Sequence, residues 1–177
     1  MKAAKFTVEG TAYYLVLDGE AMFQIRDTFG STKLLLEQLE QDTREGFDAA
    51  CTAAAFMAER GELIRRRLGY APGEIPDADT FRLLVPTYEI VDLKNAVIKA
   101  VTLGYGREVK SAEDDEYDEG LEELRQKKNT IKRAEYYRIA ARCGISVTEA
   151  LFMPPGELFD LWELYLRDHG KRDKEGV

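Results

Sequence analysis

The sequence predicts a mainly α protein (α+β), with an N-terminal β-hairpin packed on a helical body, then an acidic linker and a C-terminal helical module. Three observations carry this. Strand-like alternation is confined to one segment near the start, KFTVEGTAYYLVLD. From residue 19 onward the apolar residues recur at helical spacing. And residues 113–123, EDDEYDEGLEE, hold acids with no base, which splits the helical text in two. The predicted boundaries are 1–107 for the hairpin and helical body, 108–120 for the linker, 121–170 for the C-terminal module and 171–177 for a tail.

In the first segment Phe6 and Val8 alternate with Thr7 and Glu9, Gly10-Thr11 supplies a turn, and Tyr13 to Leu17 gives an aromatic and branched run. This is a hairpin pattern, and a lone hairpin is marginal in water, so it requires helices to pack on. Asp18 is suited to cap a helix that carries Met22, Phe23 and Ile25 and stops at Phe29-Gly30. Ser31 caps the next, with Leu34, Leu35, Leu36 and Leu39. Asp42 or Thr43 opens a longer one, with Phe47, Ala50, Cys51, Ala54 and Met57, interrupted at Gly61. After the loop GYAPGEIPDAD, Asp77, Asp79 or Thr80 starts a short helix to Leu84. Another runs from Thr87 to about Leu103, carrying Ile90, Leu93, Val97, Ile98 and Val101 and ending at Gly104-Tyr105-Gly106.

Acid-rich, apolar-poor sequence buries too little surface to order itself, which makes 108–120 a linker or a solvated helix start. The stretch that follows, 124–142, holds seven bases and one acid. Its apolar residues, with Leu121, predict a helix closing at Cys143-Gly144. Ser146 and Glu149 have capping-box spacing ahead of Ala150-Leu151-Phe152-Met153. Pro154-Pro155 ends that turn, and Pro155 suits the first turn of a final helix.

Composition and motifs narrow the function. The 177 residues suffice to bury about 70% of the unfolded surface without staples. A net charge of −8 argues against general binding to phosphate backbones. The opening MKAAKFTVEG lacks the apolar stretch of a signal peptide, and no window has 18 uninterrupted apolar residues. The expectation is a cytoplasmic protein that neither spans nor binds a membrane. Cys51 and Cys143 read as core residues, and the single histidine, His169, sits in a charged tail. Gly104-Tyr105-Gly106 follows a helix, so it reads as a helix end and not as a phosphate loop. Arg65-Arg66-Arg67 complements a helix C-terminus, and the basic run at 125–142 sits beside eight acids. No catalytic, cofactor-binding or metal-binding residue emerges.

What remains is apolar surface. On the last helix Leu158, Leu161, Trp162 and Tyr165 share a face, and Phe159 extends it sideways. Packing on the preceding helix would explain most of this stripe. Leu151, Phe152 and Met153 add three more large side chains across the prolines, which favours a protein partner. These eight residues are the candidate partner-binding set.

The stretch YYRIAARCGISVTEALFMPPGELFDLWELYL resembles the C-terminal part of tail assembly chaperones of long-tailed bacteriophages and prophages, centred on Glu149-Ala150-Leu151 and Pro155-Gly156-Glu157-Leu158. The N-terminal part is similar too, in a hairpin of the form F-x-V-x-G-x-x-Y-x-L-x-L and in I-x-x-x-FG at Ile25 to Gly30. The resemblance implies a non-catalytic protein in the host cytoplasm. Such a protein holds the tape-measure protein soluble and recruits tail-tube subunits, with no cofactor and no nucleic acid. It also implies a long form made by frameshift, for which Lys127-Lys128-Asn129 is a candidate slippery run, and it leaves homo-oligomers open. Two other readings stand beside it: a tail-completion or connector protein of the virion, and a nucleic-acid-binding regulator using the basic helix at 125–142.

Overall fold

A computed structural model describes residues 2–109 and 131–172, with side chains through residue 169. The acidic run at 113–123, the expected helix start at Leu121 and Lys127-Lys128-Asn129 lie outside the described residues.

The protein is mainly α with a two-stranded antiparallel hairpin at its N-terminus. Strands β1 (Ala4–Val8) and β2 (Thr11–Leu15) pair with Phe6 opposite Tyr13 and Val8 opposite Thr11. The turn is therefore Glu9-Gly10, one residue earlier than the sequence suggests. Both turn residues have positive φ, at 49° and 76°, as a two-residue turn matched to strand twist requires. This register puts Phe6, Val8, Tyr13 and Leu15 on the buried face. Phe6 and Tyr13 meet the ring of Phe81, with centroids 6.3 and 5.2 Å away.

Five helices form the body: α1 (Gly19–Phe29), α2 (Thr32–Glu40), α3 (Arg44–Arg67), α4 (Ala78–Leu84) and α5 (Ile90–Tyr105), the last preceded by a 3-10 turn at Thr87–Glu89. Asp18, Ser31, Thr43 and Asp77 cap α1 to α4 through side-chain oxygens that accept backbone N–H groups. Gly61 does not interrupt α3. The helix passes straight through it, because the carbonyl of Tyr14 in β2 occupies the space a Cβ would need. A glycine that reads as a helix breaker is a close-packing site for the hairpin. On α5, Leu93, Val97, Ala100 and Val101 face the core, whereas Ile98, expected with them, is exposed.

Helices α6 (Arg133–Arg142), α7 (Val147–Leu151) and α8 (Pro155–Arg172) complete the fold. The capping box at the start of α7 is formed: Ser146 accepts from the Glu149 amide, and Glu149 accepts from the Ser146 amide. These helices were expected as a module of their own. In the structure Tyr136, Ile139, Ala140, Ala150 and Leu158 belong to the same core as Phe23, Leu17 and Ala54. Closeness at one point explains why. A Cβ on Gly156 would meet the backbone of Gly106 and, at 2.9 Å, that of Tyr105, so the start of α8 presses against the end of α5.

Candidate interaction surface

The C-terminal helices dock around a buried ion pair. Asp18 caps α1 with one carboxylate oxygen, 3.0 Å from the Ala21 amide, and its other oxygen accepts from Nε of Arg60 at 2.7 Å. Both side chains are buried. Burial pushes the Asp18 pKa above the ordinary aspartate value, against the Ala21 amide and Arg60, which pull it down. Arg60 also donates to the Leu151 carbonyl at 3.4 Å, and its guanidinium lies 4.1 Å from the ring centre of Phe152. Arg67 covers the same ring at 5.3 Å. The Gly19 amide donates to the Met153 carbonyl, and the Tyr136 hydroxyl donates to the Ala150 carbonyl. Desolvation holds that tyrosine well above the usual phenol range.

This arrangement relocates most of the candidate partner-binding residues. Leu158 is fully buried within the chain, and Phe159 meets Tyr136 edge-on at 6.3 Å. Leu151, Phe152 and Met153 are half-buried in the docking seam. Trp162 is half-buried under Arg142, whose guanidinium lies 5.8 Å from its ring. The expected packing of α8 on the preceding helix is thus present, and the body covers more of it from the α5 side. Leu158 was expected on the partner-binding face with Leu161, Trp162 and Tyr165. It sits inward because Gly156 brings the first turn of α8 against α5.

Beyond that turn α8 keeps one side against the body and exposes the other. Leu161 is 38% exposed, Leu164 43% and Leu166 45%. Trp162 stacks on Tyr165 at 5.3 Å, and Tyr165 on His169 at 3.9 Å, a ladder along one side of the helix. His169 is exposed, and its Nδ1 donates to the Tyr165 carbonyl. Asp160 anchors the other side, accepting from Arg107 at 2.9 Å and from the Glu108 amide at 2.7 Å.

A second surface went unnoticed in the sequence. Tyr88, in the 3-10 turn ahead of α5, is 80% exposed; on α5 Val91 is 64% exposed, with Ile98 on the same side. The heptad-like spacing 88, 91, 95, 98 was there to be read, but it lay beside the stronger core stripe. Next to it is an open groove of about 370 Å³ between β1 and α5, lined by Lys5, Phe6, Thr7, Glu89, Asp92 and Lys99.

The chemistry of these surfaces is that of packing. Among the described residues, no group of three or more His, Cys, Asp or Glu is placed to hold a metal ion. Burial pushes the Cys51 thiol up to about 12, so it carries almost no thiolate at neutral pH. The described arginines of the basic runs have partners within the chain: Arg65 and Arg66 on Glu62, Arg67 on Phe152, Arg133 on Glu20, Arg138 on Glu135 and Arg142 on Trp162. Among the described residues no helix is long and apolar enough to cross a membrane. No family model matches the chain, and no curated protein or solved structure does either.

Proposed function

We propose that the chain is a tail assembly chaperone of a long-tailed phage or prophage, which holds the tape-measure protein soluble and recruits tail-tube subunits without catalysis. The observation that carries this reading is the exposed apolar run of α8 after its first turn: Leu161, Leu164 and Leu166 beside the Trp162–Tyr165 ladder. A client-holding protein needs apolar side chains presented on a fixed scaffold, so that a long amphipathic helix can lay its own apolar face on them. The net charge of −8 keeps such a loaded complex in solution.

The motif residues shared with that family have a physical reason here. The Glu149-Ala150-Leu151 and Pro155-Gly156-Glu157-Leu158 stretches make the capping box, the Ala150 carbonyl contact and the close approach to α5. They fix the direction in which α8 projects, and the residues after them do the holding. Leu158 therefore acts through the fold, and the partner contacts pass to Leu161, Trp162, Leu164 and Tyr165.

The test is co-expression with the tape-measure protein of the same gene cluster. The expected result is that the tape measure becomes soluble with the wild-type chain and precipitates with Leu161→Ser/Leu164→Ser. A tape measure equally soluble without the chain would end this reading. Finding the chain in purified particles in whole-number ratio to tail proteins would favour the virion-component reading instead.

A further inference from the structure

The outer face of α5 has a pattern that packing within the chain does not explain. On α5 itself Val91, Asn95, Ile98 and Thr102 follow the alternating four-three spacing of a coiled-coil seam, and Tyr88, in the 3-10 turn that leads into the helix, continues it by sequence. Tyr88 and Val91 are 80% and 64% exposed and Ile98 36%, so the seam has no cover within the described chain. The opposite face of the helix is buried, and Lys94 ties it to the Gln41 carbonyl at 2.7 Å, so α5 cannot roll to hide the seam.

The charges beside the seam select its partner. Along one flank stand Asp92 and Lys99, both exposed; the other flank carries Lys94 and Val101, both buried. In a parallel helix pair, each flank meets the opposite flank of its neighbour, which would leave Asp92 and Lys99 facing buried residues. In an antiparallel pair, like flanks meet. Aligning two copies so that Tyr88 packs on Ile98, and Val91 on Asn95, brings Asp92 of each copy onto Lys99 of the other. A two-fold axis makes that contact twice. The seam is self-complementary in spacing and charge.

We infer that the chain forms a two-fold homodimer through an antiparallel pairing of α5, with Val91 and Ile98 at its centre and two Asp92–Lys99 ion pairs at its edge. The α-helical part of the seam, from Val91 to Thr102, is about 17 Å long at the helical rise, a small interface that fits a reversible dimer and not an obligate one. It lies apart from α8 and stands independently of the proposed chaperone role.

Sedimentation equilibrium of the full chain tests this. The expected mass passes from monomer to dimer between about 1 and 100 µM, the range for an interface at the small end. Asp92→Lys places two like-charge pairs across the seam and should weaken the dimer about tenfold, and Val91→Lys should abolish it in that range. Asp92→Lys with Lys99→Asp restores opposite charges and should recover most of the association. All three positions are exposed, so the thermal melt of dilute protein should stay within a few degrees of wild type. A monomer at 100 µM overturns the inference, and so does a dimer unchanged by Val91→Lys. If the chain is monomeric and Val91→Lys instead abolishes solubilisation of a co-expressed tape measure, the seam belongs to the client, and the homodimer is overturned as well.

Discussion

Nε of Arg60 donates to Asp18 at 2.7 Å in the interior of the protein, and the guanidinium lies over the ring of Phe152. One residue of α3 thereby joins the start of α1 to the end of α7. The pair stands where the C-terminal helices meet the body, so its loss should be felt at both.

Removing one partner of a buried pair leaves an uncompensated charge, which generally costs about 3–5 kcal/mol. Arg60→Ala should therefore lower stability by about that amount in urea unfolding. Asp18→Asn combined with Arg60→Met leaves no buried charge, and the double variant should be less destabilised than the sum of the two singles. Additive singles would mean that the two side chains do not act as a pair.

Gly156→Ala tests the close approach of α8 to α5. The added methyl meets the backbone of Tyr105 and Gly106, neither of which yields as a side chain end would. Overpacking of this kind typically costs about 1–3 kcal/mol. The emission of Trp162, the only tryptophan, should shift red in the variant before global unfolding, as α8 lifts from Arg142. An unchanged midpoint and an unchanged emission would show that α8 docks by other contacts.

Acid should act on the same helix. Burial works against the Asp160 carboxylate, but the Glu108 amide and Arg107 outweigh it, and its pKa lies below the ordinary aspartate value of 3.8. Its contribution is complete above that value and is lost as pH falls through the lower folded-state pKa. Asp18 runs the other way: its raised pKa favours the folded state most at low pH and less as pH rises through that pKa. In an acid titration the Trp162 signal should therefore show a transition below pH 3.8 that Asp160→Asn removes. A transition that survives Asp160→Asn would assign it elsewhere.

The outer residues of α8 should be silent for folding. Leu161→Ser and Leu164→Ser change side chains that are 38% and 43% exposed, and surface changes of this kind usually stay within about 0.5 kcal/mol. A larger loss would place them in the core of the folded chain.

The elements were legible in the sequence wherever a local chemical signal marks them. Asp18 and Ser31 cap the helices they were expected to cap, Thr43 and Asp77 are the caps among the alternatives the sequence offered, and the Ser146–Glu149 box forms as spaced. What was not legible is long-range contact. Gly61 reads as a break because nothing local shows the Tyr14 carbonyl lying against it. Leu158 and Leu161 read alike because helical spacing gives a face but not which neighbour covers it. Asp18 and Arg60, 42 residues apart, carry no joint signal at all. Spacing did contain the Tyr88–Ile98 seam, but a buried stripe on the same helix is the louder pattern.

The proposed chaperone holds its client along the exposed side of α8 after its first turn. Hydrogen exchange of the chain alone and in complex with the co-purified tape-measure protein tests it most directly. Amides from 159 to 169 should exchange more slowly in the complex, while those of α1 and α3 keep their rates. Equal exchange of α8 in the two states, with protection appearing elsewhere, would contradict it.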